Sequence, residues 1–254
     1  MTRYSSHARR TPLNLCLALL AILVLLPTHG FAEDAEPHSA ITPAPRNEQE
    51  FWVNRHARIN ERTKQGDIEL IFLGDSITQG WENSQVQEQV WKKHYGDRQA
   101  ANMGIGGDRT QHVLWRLDHG NVDGLDPKLV VLMIGTNNSN GTDNTADEIA
   151  DGIRAIIASL REKLPQTKVL LLAIFPRGAE PNPQRDKNAN ASALAAECAD
   201  GQMVHYLDIG EHFLDDEGRI AAEIMPDYLH LTVAGYQIWA EAIEDKVAEL
   251  LGER

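Results

Sequence analysis

The chain has 254 residues, of which 42% are hydrophobic and 24% charged, and its formal net charge is -13. This length and composition predict one globular domain with a sizeable core. A surface this acidic argues against a nucleic-acid partner and against docking on anionic membranes, because both carry negative charge themselves.

The first 32 residues have the features of a signal peptide. Three arginines precede an apolar run over residues 13–26, and Gly30-Phe31-Ala32 then offers small residues where a signal peptidase would cut. The apolar run is shorter than the roughly 20 residues that a membrane helix needs. Cleavage after Ala32 predicts a periplasmic or secreted protein with no stable membrane insertion; the alternative is an uncleaved N-terminal anchor.

Cleavage would remove three of the 24 basic residues and no acidic one, which takes the formal charge from -13 to -16. It would leave Cys198 as the one cysteine, so no internal disulfide is expected. Residues 33–46 are rich in proline, alanine and acidic residues, and this bias predicts a flexible lead. The globular domain is therefore expected over residues 47–254.

The rest of the chain alternates apolar strands with amphipathic helices. Strands are predicted at residues 68–73, 100–103, 129–134, 169–175 and 204–207, and helices at 47–65, 84–95, 109–117, 146–164 and 233–251; residues 182–198 are predicted as a polar loop that becomes a helix. Such alternation predicts an α/β domain, with a parallel sheet covered by helices on both faces. Ligands of these sheets bind beyond the carboxyl ends of the strands.

The first strand ends in the turn Gly74-Asp75-Ser76, which places a serine at a strand tip. A serine hydroxyl is a weak nucleophile, so it needs a base, a group that orients the base, and donors for the oxyanion. His230 lies three residues after Asp227, so both can occupy one side of a turn while the second imidazole nitrogen faces Ser76. Taken alone, this spacing is also that of a surface turn.

Two further strand tips carry candidate oxyanion donors. Gly106 and Gly107 follow the second strand and can expose backbone N–H groups to a ligand, although such a pair also forms tight turns. Asn137 follows the third strand, where its side-chain amide can donate to an oxyanion or cap a loop or helix. Chain order, strand tips and residue types agree, and this joint occurrence predicts one catalytic site at this edge of the sheet.

The motifs GDSIT, GIGGD, GTNN and DYLH resemble the four sequence blocks of the SGNH, or GDSL, hydrolase family. Longer stretches, among them NMGIGGDRTQHVLWRLDHG and PDYLHLTVAGY, are similar to the catalytic subunits of the intracellular platelet-activating-factor acetylhydrolases and their bacterial relatives. The resemblance covers most of residues 51–251. It implies a three-layer, flavodoxin-like fold with a five-stranded parallel sheet of order 2-1-3-4-5, so that strands two and three flank strand one.

Carried over motif by motif, the resemblance implies Ser76 as the nucleophile, His230 as the base and Asp227 as the group that orients the base. It implies the Ser76 N–H, the Gly107 N–H and the Asn137 amide as oxyanion donors. The remaining histidines show no ligand spacing together, so no metal is expected, and no other cofactor is expected.

These features predict a serine esterase that removes small acyl groups, acetyl in particular, from a carbohydrate or a lipid through an acyl-enzyme. The partner is then a small-molecule ester or an acetylated glycan, and the chain is expected to be a monomer or a homodimer. Two alternatives stay open at this point. One is a lysophospholipase or thioesterase that takes longer acyl chains, and the other is a non-catalytic glycan-binding module.

Four further residues are candidates for substrate binding. Ile77 follows the nucleophile and Leu229 precedes the base, so both are expected beside the acyl group; in the acetylhydrolases that the chain resembles, bulky apolar residues at the matching positions keep the acyl pocket short. Arg109 and Arg177 follow strand-tip motifs and can hold an anionic part of the substrate by paired hydrogen bonds. Alternatively, these arginines are solvated surface charges or pair with Asp108.

Overall fold

Strands and helices alternate along the whole domain, as the sequence predicts. The computed structural model describes residues 1–2 and 37–253, so the predicted signal peptide lies outside the described residues from residue 3 onward. The strands are β1 (Leu70–Gly74), β2 (Ala100–Gly104), β3 (Leu129–Met133), β4 (Lys168–Leu172) and β5 (Val204–Leu207). The helices are α1 (Glu50–Gln65), α2 (Ser76–Gln79), α3 (Gln85–Tyr95), α4 (Thr110–Leu117), α5 (Ala146–Lys163), α6 (Pro183–Ala196) and α7 (Val233–Leu251).

The five strands form one parallel sheet in the order β2-β1-β3-β4-β5, which confirms the predicted topology. β1 is therefore an interior strand with β2 on one side and β3 on the other. At its carboxyl end Gly74 pairs with Gly104 of β2 and with Met133 of β3. The loops that follow β2 and β3 consequently emerge on either side of the loop that follows β1.

The side chains of each strand alternate between two cores. Ile71 and Leu73 of β1 face a core shared with α1, α4, α5 and α6, whereas Leu70 and Phe72 face a core shared with α3 and α7. All four of these side chains are at most 1% exposed. This burial on both faces explains why the strands are continuous apolar runs. Among the described residues, no helix is long and apolar enough to span a membrane.

Four of the five strands have bounds that differ from the prediction, and two of them differ by two or more residues at one end. β1 begins at Leu70 rather than at residue 68, and β4 ends at Leu172 rather than at residue 175. Ile68 and Phe175 are nevertheless buried, with 5% and 2% of their surface exposed. An apolar run in the sequence indicates that its residues are buried, but a strand also needs a hydrogen-bonding neighbour. β4 ends at Leu172 because its neighbour β5 ends at Leu207.

Part of the segment predicted as a flexible lead, residues 33–46, instead packs on the domain. Ser39–Ile41 form a turn of 3-10 helix, Ala40 is fully buried, and its carbonyl oxygen accepts a hydrogen bond from the Thr110 hydroxyl at 2.8 Å. The compact unit accordingly begins at residue 37 rather than at residue 47. The composition of this segment indicated that it lacks long helices and strands. Composition does not reveal the contacts that a short segment makes with distant helices, so this part of the segment was wrongly expected to be flexible.

A buried ion pair connects α1 and α4 to the loop after β2. Asp108 and Arg116 are both fully buried, and Arg116 Nε donates to Asp108 Oδ2 at 2.8 Å. Trp52 Nε1 donates to Asp108 Oδ1 at 2.7 Å. The terminal nitrogens of Arg116 donate to the carbonyl oxygens of Met103 and Gly74 at 3.1 and 3.3 Å. A buried charge is tolerated when it is paired and hydrogen-bonded, and this pair links the tips of β1 and β2 to α4.

We expect the Arg116→Met variant to lose about 3 to 5 kcal/mol of the free energy of unfolding, because it removes the buried arginine that pairs most closely with the buried Asp108 carboxylate. Urea denaturation measures this loss. The control is Lys246→Met, which breaks a surface pair with Glu249 and should lose less than about 1 kcal/mol. Equal and small losses in the two variants would contradict a structural role for the buried pair.

Candidate active site

The turn between β1 and α2 carries Ser76. β1 ends at Gly74, where a side chain has no room, since a Cβ there would lie 2.3 Å from the Met133 carbonyl oxygen. Asp75 then caps α2, and its Oδ1 accepts the Ile77 N–H at 2.9 Å. Ser76 is therefore the first residue of α2 and stands half-buried at the carboxyl end of β1.

The loop before α7 brings Asp227 and His230 together, as their spacing predicts. Asp227 Oδ1 accepts the backbone N–H groups of Leu229 and His230 at 3.1 and 2.7 Å, so the carboxylate stabilises its own turn. Tyr228, between them, takes the left-handed conformation with a φ of 57°. This turn leaves Asp227 Oδ2 at 2.6 Å from His230 Nδ1.

The other imidazole nitrogen of His230 faces Ser76. Ser76 Oγ and His230 Nε2 are 2.9 Å apart, although the two residues are 154 positions apart in the chain. Because Nδ1 faces a carboxylate it carries the proton, which leaves Nε2 free to accept the serine proton. Asp227, His230 and Ser76 thus form one line of hydrogen bonds, the arrangement that activates a serine hydroxyl.

The Asp227 carboxylate is suited to hold the imidazole. Its burial acts to raise its pKa, but the hydrogen bonds from the side chain and backbone of His230 outweigh that effect, and the pKa of Asp227 lies below its usual value. Its side chain is 53% exposed and that of His230 is 43% exposed. Asp227 therefore stays ionised around neutral pH, in a site that is open to solvent on this side.

The loop after β2 passes close to Ser76, since a Cβ built at Gly106 would lie 3.8 Å from the Cβ of Ser76. Ile105–Asp108 form a four-residue turn closed by a hydrogen bond of 3.1 Å, and Gly107 at its third position has a φ of 75°. A positive φ at this position is the mark of a type II turn, for which glycine is the preferred residue. Gln79, in the same helix as Ser76, accepts the Gly106 N–H at 2.7 Å through Oε1, which fixes the turn against α2.

Asn137 approaches the same turn from the tip of β3. Its Nδ2 donates to the carbonyl oxygen of Asp108 at 2.9 Å, and this bond sets the orientation of the amide. An amide nitrogen carries two hydrogens, so one remains for a second acceptor. Asn137 is thus held against the turn that contains Gly107, and the strand order 2-1-3 puts this turn and Asn137 on either side of the loop that carries Ser76.

Asp75 is a second carboxyl at the site, and it is fully buried beside Ser76. Its Oδ1 accepts the Ile77 N–H, but no donor among the described residues reaches Oδ2. Burial raises the pKa of Asp75 to about 7; the Ile77 hydrogen bond opposes this rise and the charge of Asp108 adds to it. Below that pH the carboxyl next to Ser76 is neutral.

The two apolar residues predicted beside the acyl group lie in different environments. Ile77 is 1% exposed and packs into the core of α3 and α7, while the Tyr236 hydroxyl donates to its carbonyl oxygen at 2.7 Å. The prediction that Ile77 lines the acyl pocket is therefore wrong, because the first turn of α2 directs this side chain inward. Leu229 is only partly buried against the same core and keeps surface beside His230.

The two arginines predicted to bind an anionic group already have protein partners. Arg109 Nη2 donates to Asp143 Oδ2 at 2.6 Å, so its carboxylate partner is Asp143 and not Asp108. Arg177 Nη1 donates to the carbonyl and hydroxyl oxygens of Thr136 at 3.1 and 3.2 Å and to Asn140 Oδ1 at 3.2 Å. Arg177 therefore braces the loop that carries Asn137.

Three residues at the site carried no functional prediction from the sequence: Asp75, Gln79 and Arg46. The only signal for Asp75 and Gln79 is their nearness to Ser76 in the chain. Arg46 has no such signal, because it lies in a segment without periodicity, yet its guanidinium group reaches the turn at Gly107. Among the described residues, no three His, Cys, Asp or Glu side chains are grouped as metal ligands.

The sequence of this region matches a known family. Residues 72–238 match the model of the GDSL-like Lipase/Acylhydrolase family. The chain belongs to this family. Platelet-activating factor acetylhydrolase IB subunit alpha1 of Bos taurus is 37% identical over 220 residues, which are 86% of this chain and 92% of that protein. The chain is thus a serine ester hydrolase of the GDSL type, as the sequence predicted.

Solved structures of other proteins share the fold. A Streptococcus pneumoniae protein, described as a platelet activating factor, has a TM-score of 0.62 and 25% identity, over 77% of this chain and 94% of that chain. Est24, a carbohydrate acetylesterase from Sinorhizobium meliloti, has a TM-score of 0.55 and 23% identity, over 72% of this chain and 99% of that chain. Both structural similarities show that this GDSL hydrolase shares its α/β fold with these proteins.

The raised pKa of Asp75 predicts a stability that falls as pH rises. In the unfolded chain this carboxyl ionises near its ordinary value of 3.8, but in the folded protein it ionises at about 7. The folded state thus keeps a proton that the unfolded state has lost, and the free energy of unfolding should decrease between about pH 4 and about pH 7. Asp75→Asn keeps the Oδ1 acceptor and does not titrate, so it should lack this decrease.

Urea denaturation of both proteins at several pH values in this window measures the effect. The difference in the free energy of unfolding between Asp75→Asn and the parent should grow in favour of the variant as pH rises. Parallel pH profiles for the two proteins would show that Asp75 titrates at its ordinary value in the folded chain.

Proposed function

We propose that this GDSL hydrolase removes short acyl groups, acetyl above all, from esters of a carbohydrate or a lipid through an acyl-enzyme. Ser76 Oγ attacks the ester carbonyl while His230 Nε2 takes its proton, and Asp227 holds the imidazolium that forms. His230 then gives the proton to the leaving alcohol oxygen. A water molecule, deprotonated by the same nitrogen, then attacks the acyl carbon; the bond from this carbon to Ser76 Oγ breaks, His230 returns the proton to Oγ, and the acid leaves.

The observation that carries the proposal is the unbroken line of hydrogen bonds from Asp227 through His230 to Ser76. Its two distances, 2.6 and 2.9 Å, are both hydrogen-bond distances, and the second puts His230 Nε2 within reach of the serine proton. Position adds to this support, because Ser76 is at the carboxyl end of an interior strand, where ligands of α/β sheets bind.

Three donors are proposed for the oxyanion: the Ser76 N–H, the Gly107 N–H and the Asn137 amide. The Ser76 N–H is at the first position of α2, where backbone N–H groups have no partner within the helix. The Gly107 N–H is in the turn that Gln79 fixes against α2, and Asn137 is oriented by the Asp108 carbonyl oxygen. These contacts support the proposal, because donors that the protein holds in place before substrate binds have the larger effect on rate.

The preference for a short acyl group is supported by Leu229. This branched side chain immediately precedes His230 and is held partly buried by its packing against the core of α3 and α7. It would fill the space that a longer acyl chain needs. The alcohol half of the substrate, a lipid or a carbohydrate, is proposed from similar proteins. One relative is named as a platelet-activating factor acetylhydrolase subunit, and one structural neighbour is named as a carbohydrate acetylesterase.

Export and assembly are also proposals. The basic and apolar segments in the first 32 residues support cleavage after Ala32 and a periplasmic or secreted location. Cys198 is a free cysteine, so the proposed export does not require that this residue form an internal disulfide. The functional unit is proposed to be a monomer or a homodimer.

One observation favours a second candidate, a lysophospholipase or thioesterase that accepts longer chains. Because Ile77 is buried in the core, it does not shorten the acyl pocket, and Leu229 alone of the two residues can do so. Because Asp227 and His230 on the same loop are about half exposed, this side of the site is open. A longer chain could leave the site there if Leu229 moved aside.

We expect the Ser76→Ala variant to lose activity on a nitrophenyl ester by a factor on the order of 10^4 to 10^6, because the three side chains act as a unit. Asn137→Ala should lose less, by about 10^2 to 10^3, the usual effect of one oxyanion donor. The measurement is kcat/KM at neutral pH.

The control for this pair is Ser159→Ala, which removes a serine near the carboxyl end of α5, the end that leads into the amino end of β4, whereas Ser76 follows the carboxyl end of β1. Ser159→Ala should keep its activity. A folded Ser76→Ala protein with most of the parent's activity would show that Ser76 is not the nucleophile.

The second prediction concerns acyl length. With Leu229 in place, kcat/KM should fall along a series of nitrophenyl esters from acetyl to octanoyl. A methylene buried in open apolar space gains about 0.8 kcal/mol, whereas one forced into filled space loses roughly 1 to 3 kcal/mol, so the loss dominates. Leu229→Ala should flatten or reverse the decline. A parent rate that rises with chain length would instead support the longer-chain candidate.

A further inference from the structure

The proposed donor at Gly107 belongs to a peptide unit with two possible orientations. The carbonyl group of Gly106 and the N–H of Gly107 are part of one planar trans peptide, so they point in opposite directions. This peptide is the centre of the turn Ile105–Asp108. Types I and II of such a turn differ mainly by a rotation of the central peptide through about 180°, which exchanges the two directions.

Glycine at both central positions makes either orientation accessible. Glycine populates positive and negative φ almost equally, so neither type of turn is excluded by a side chain. The observed φ of 75° at Gly107 belongs to type II. Something outside the turn must therefore select type II, and with it the direction of the Gly107 N–H.

Arg46 makes the contact that distinguishes the two orientations. Its Nη1 donates to the Gly106 carbonyl oxygen at 2.6 Å, and in the flipped peptide this oxygen would point away from the arginine. The guanidinium group also covers Gly107 on this side, since a Cβ built there would lie 2.9 Å from Nη2. Arg46 is itself held by Gln49 Oε1 and lies over the ring of Phe51.

Neutralising the buried Asp108 carboxylate would be a different role for Arg46. The distances argue against it as the main role. Arg46 Nη1 is 3.3 Å from Asp108 Oδ1, whereas Trp52 and Arg116 donate to this carboxylate at 2.7 and 2.8 Å. The shortest contact of Arg46 with the turn is the one with the Gly106 carbonyl oxygen.

We propose that Arg46 is a positioning residue that holds the Gly106–Gly107 peptide in the orientation in which the Gly107 N–H faces the oxyanion. A cation bound to the carbonyl oxygen also polarises the peptide and strengthens its N–H as a donor. Arg46 lies in the segment before α1, so this segment is part of the catalytic machinery. The inference rests on the proposed function, because it needs an oxyanion beside Ser76.

The experiment compares Arg46→Met, which keeps the length and removes the donors, with Arg46→Lys, which keeps a charge and a donor. For Arg46→Met, kcat/KM on a nitrophenyl acetate should fall by about 10- to 100-fold, somewhat less than the loss of a whole donor, because the peptide still samples the correct orientation. Arg46→Lys should recover most of this loss.

The inhibition constant of an alkylboronic acid provides a readout that folding alone does not move. The boron atom bonds to Ser76 Oγ and places a tetrahedral anion where the oxyanion forms. In Arg46→Met this constant should rise by the same factor by which kcat/KM falls. The matched control is Arg161→Met, which removes an arginine that also binds loop carbonyl oxygens, those of Leu164 and Thr167, far along the chain from the site.

Arg161→Met should lower the melting temperature but leave kcat/KM and the boronic acid constant unchanged. An unchanged boronic acid constant in Arg46→Met would overturn the inference, and so would equal changes in Arg46→Met and Arg161→Met. If Arg46→Met does not fold, Arg46→Gln is measured in the same way. A parent protein that hydrolyses no ester would instead defeat the proposed function itself, so the two failures are distinguishable.

Discussion

The carboxyl group of Asp108 is fully buried, and a charge in that position must be paired and hydrogen-bonded. Its partners come from separate parts of the chain: Trp52 in α1, Arg116 in α4 and Arg46 in the segment before α1. Through its own backbone the same residue closes the type II turn and accepts the amide of Asn137. Satisfying one buried charge therefore fixes the loops that approach Ser76 on both sides.

The order of the strands then determines which loops can meet. Because β1 lies between β2 and β3, the turn at Gly107 and the amide of Asn137 reach Ser76 from opposite sides. His230 comes from much further along the chain, and its loop closes on Ser76 as α7 packs across the sheet face. Asp227 needs no such assembly, because its turn is local. The site thus combines a local pair, fixed by backbone hydrogen bonds, with long-range contacts that exist only in the folded domain.

Local patterns in the sequence predicted those features of the fold and the site that depend on residues close together in the chain. The strand and helix order, the turn at Ser76 and the pairing of Asp227 with His230 follow from periodicity, glycine positions and spacing. The direction of the Ile77 side chain depends instead on the turn of α2 against the aromatic core, and strand periodicity says nothing about it. The role of Arg46 depends on packing between a segment without periodicity and a turn 60 residues away, which no local pattern records.

Two buried carboxyls lie near Ser76, and the protein treats them in opposite ways. Asp108 is paired with arginine, whereas Asp75 has one backbone donor and is kept neutral below about pH 7 by burial. A negative charge close to the oxyanion would oppose its formation, so pairing one carboxyl and protonating the other both favour the tetrahedral state. Asp227 is ionised, but it lies beyond His230, where its charge stabilises the imidazolium. A carboxyl close to the oxyanion therefore favours hydrolysis when it is paired or protonated, whereas the carboxyl of Asp227, beyond His230, favours hydrolysis when it is ionised.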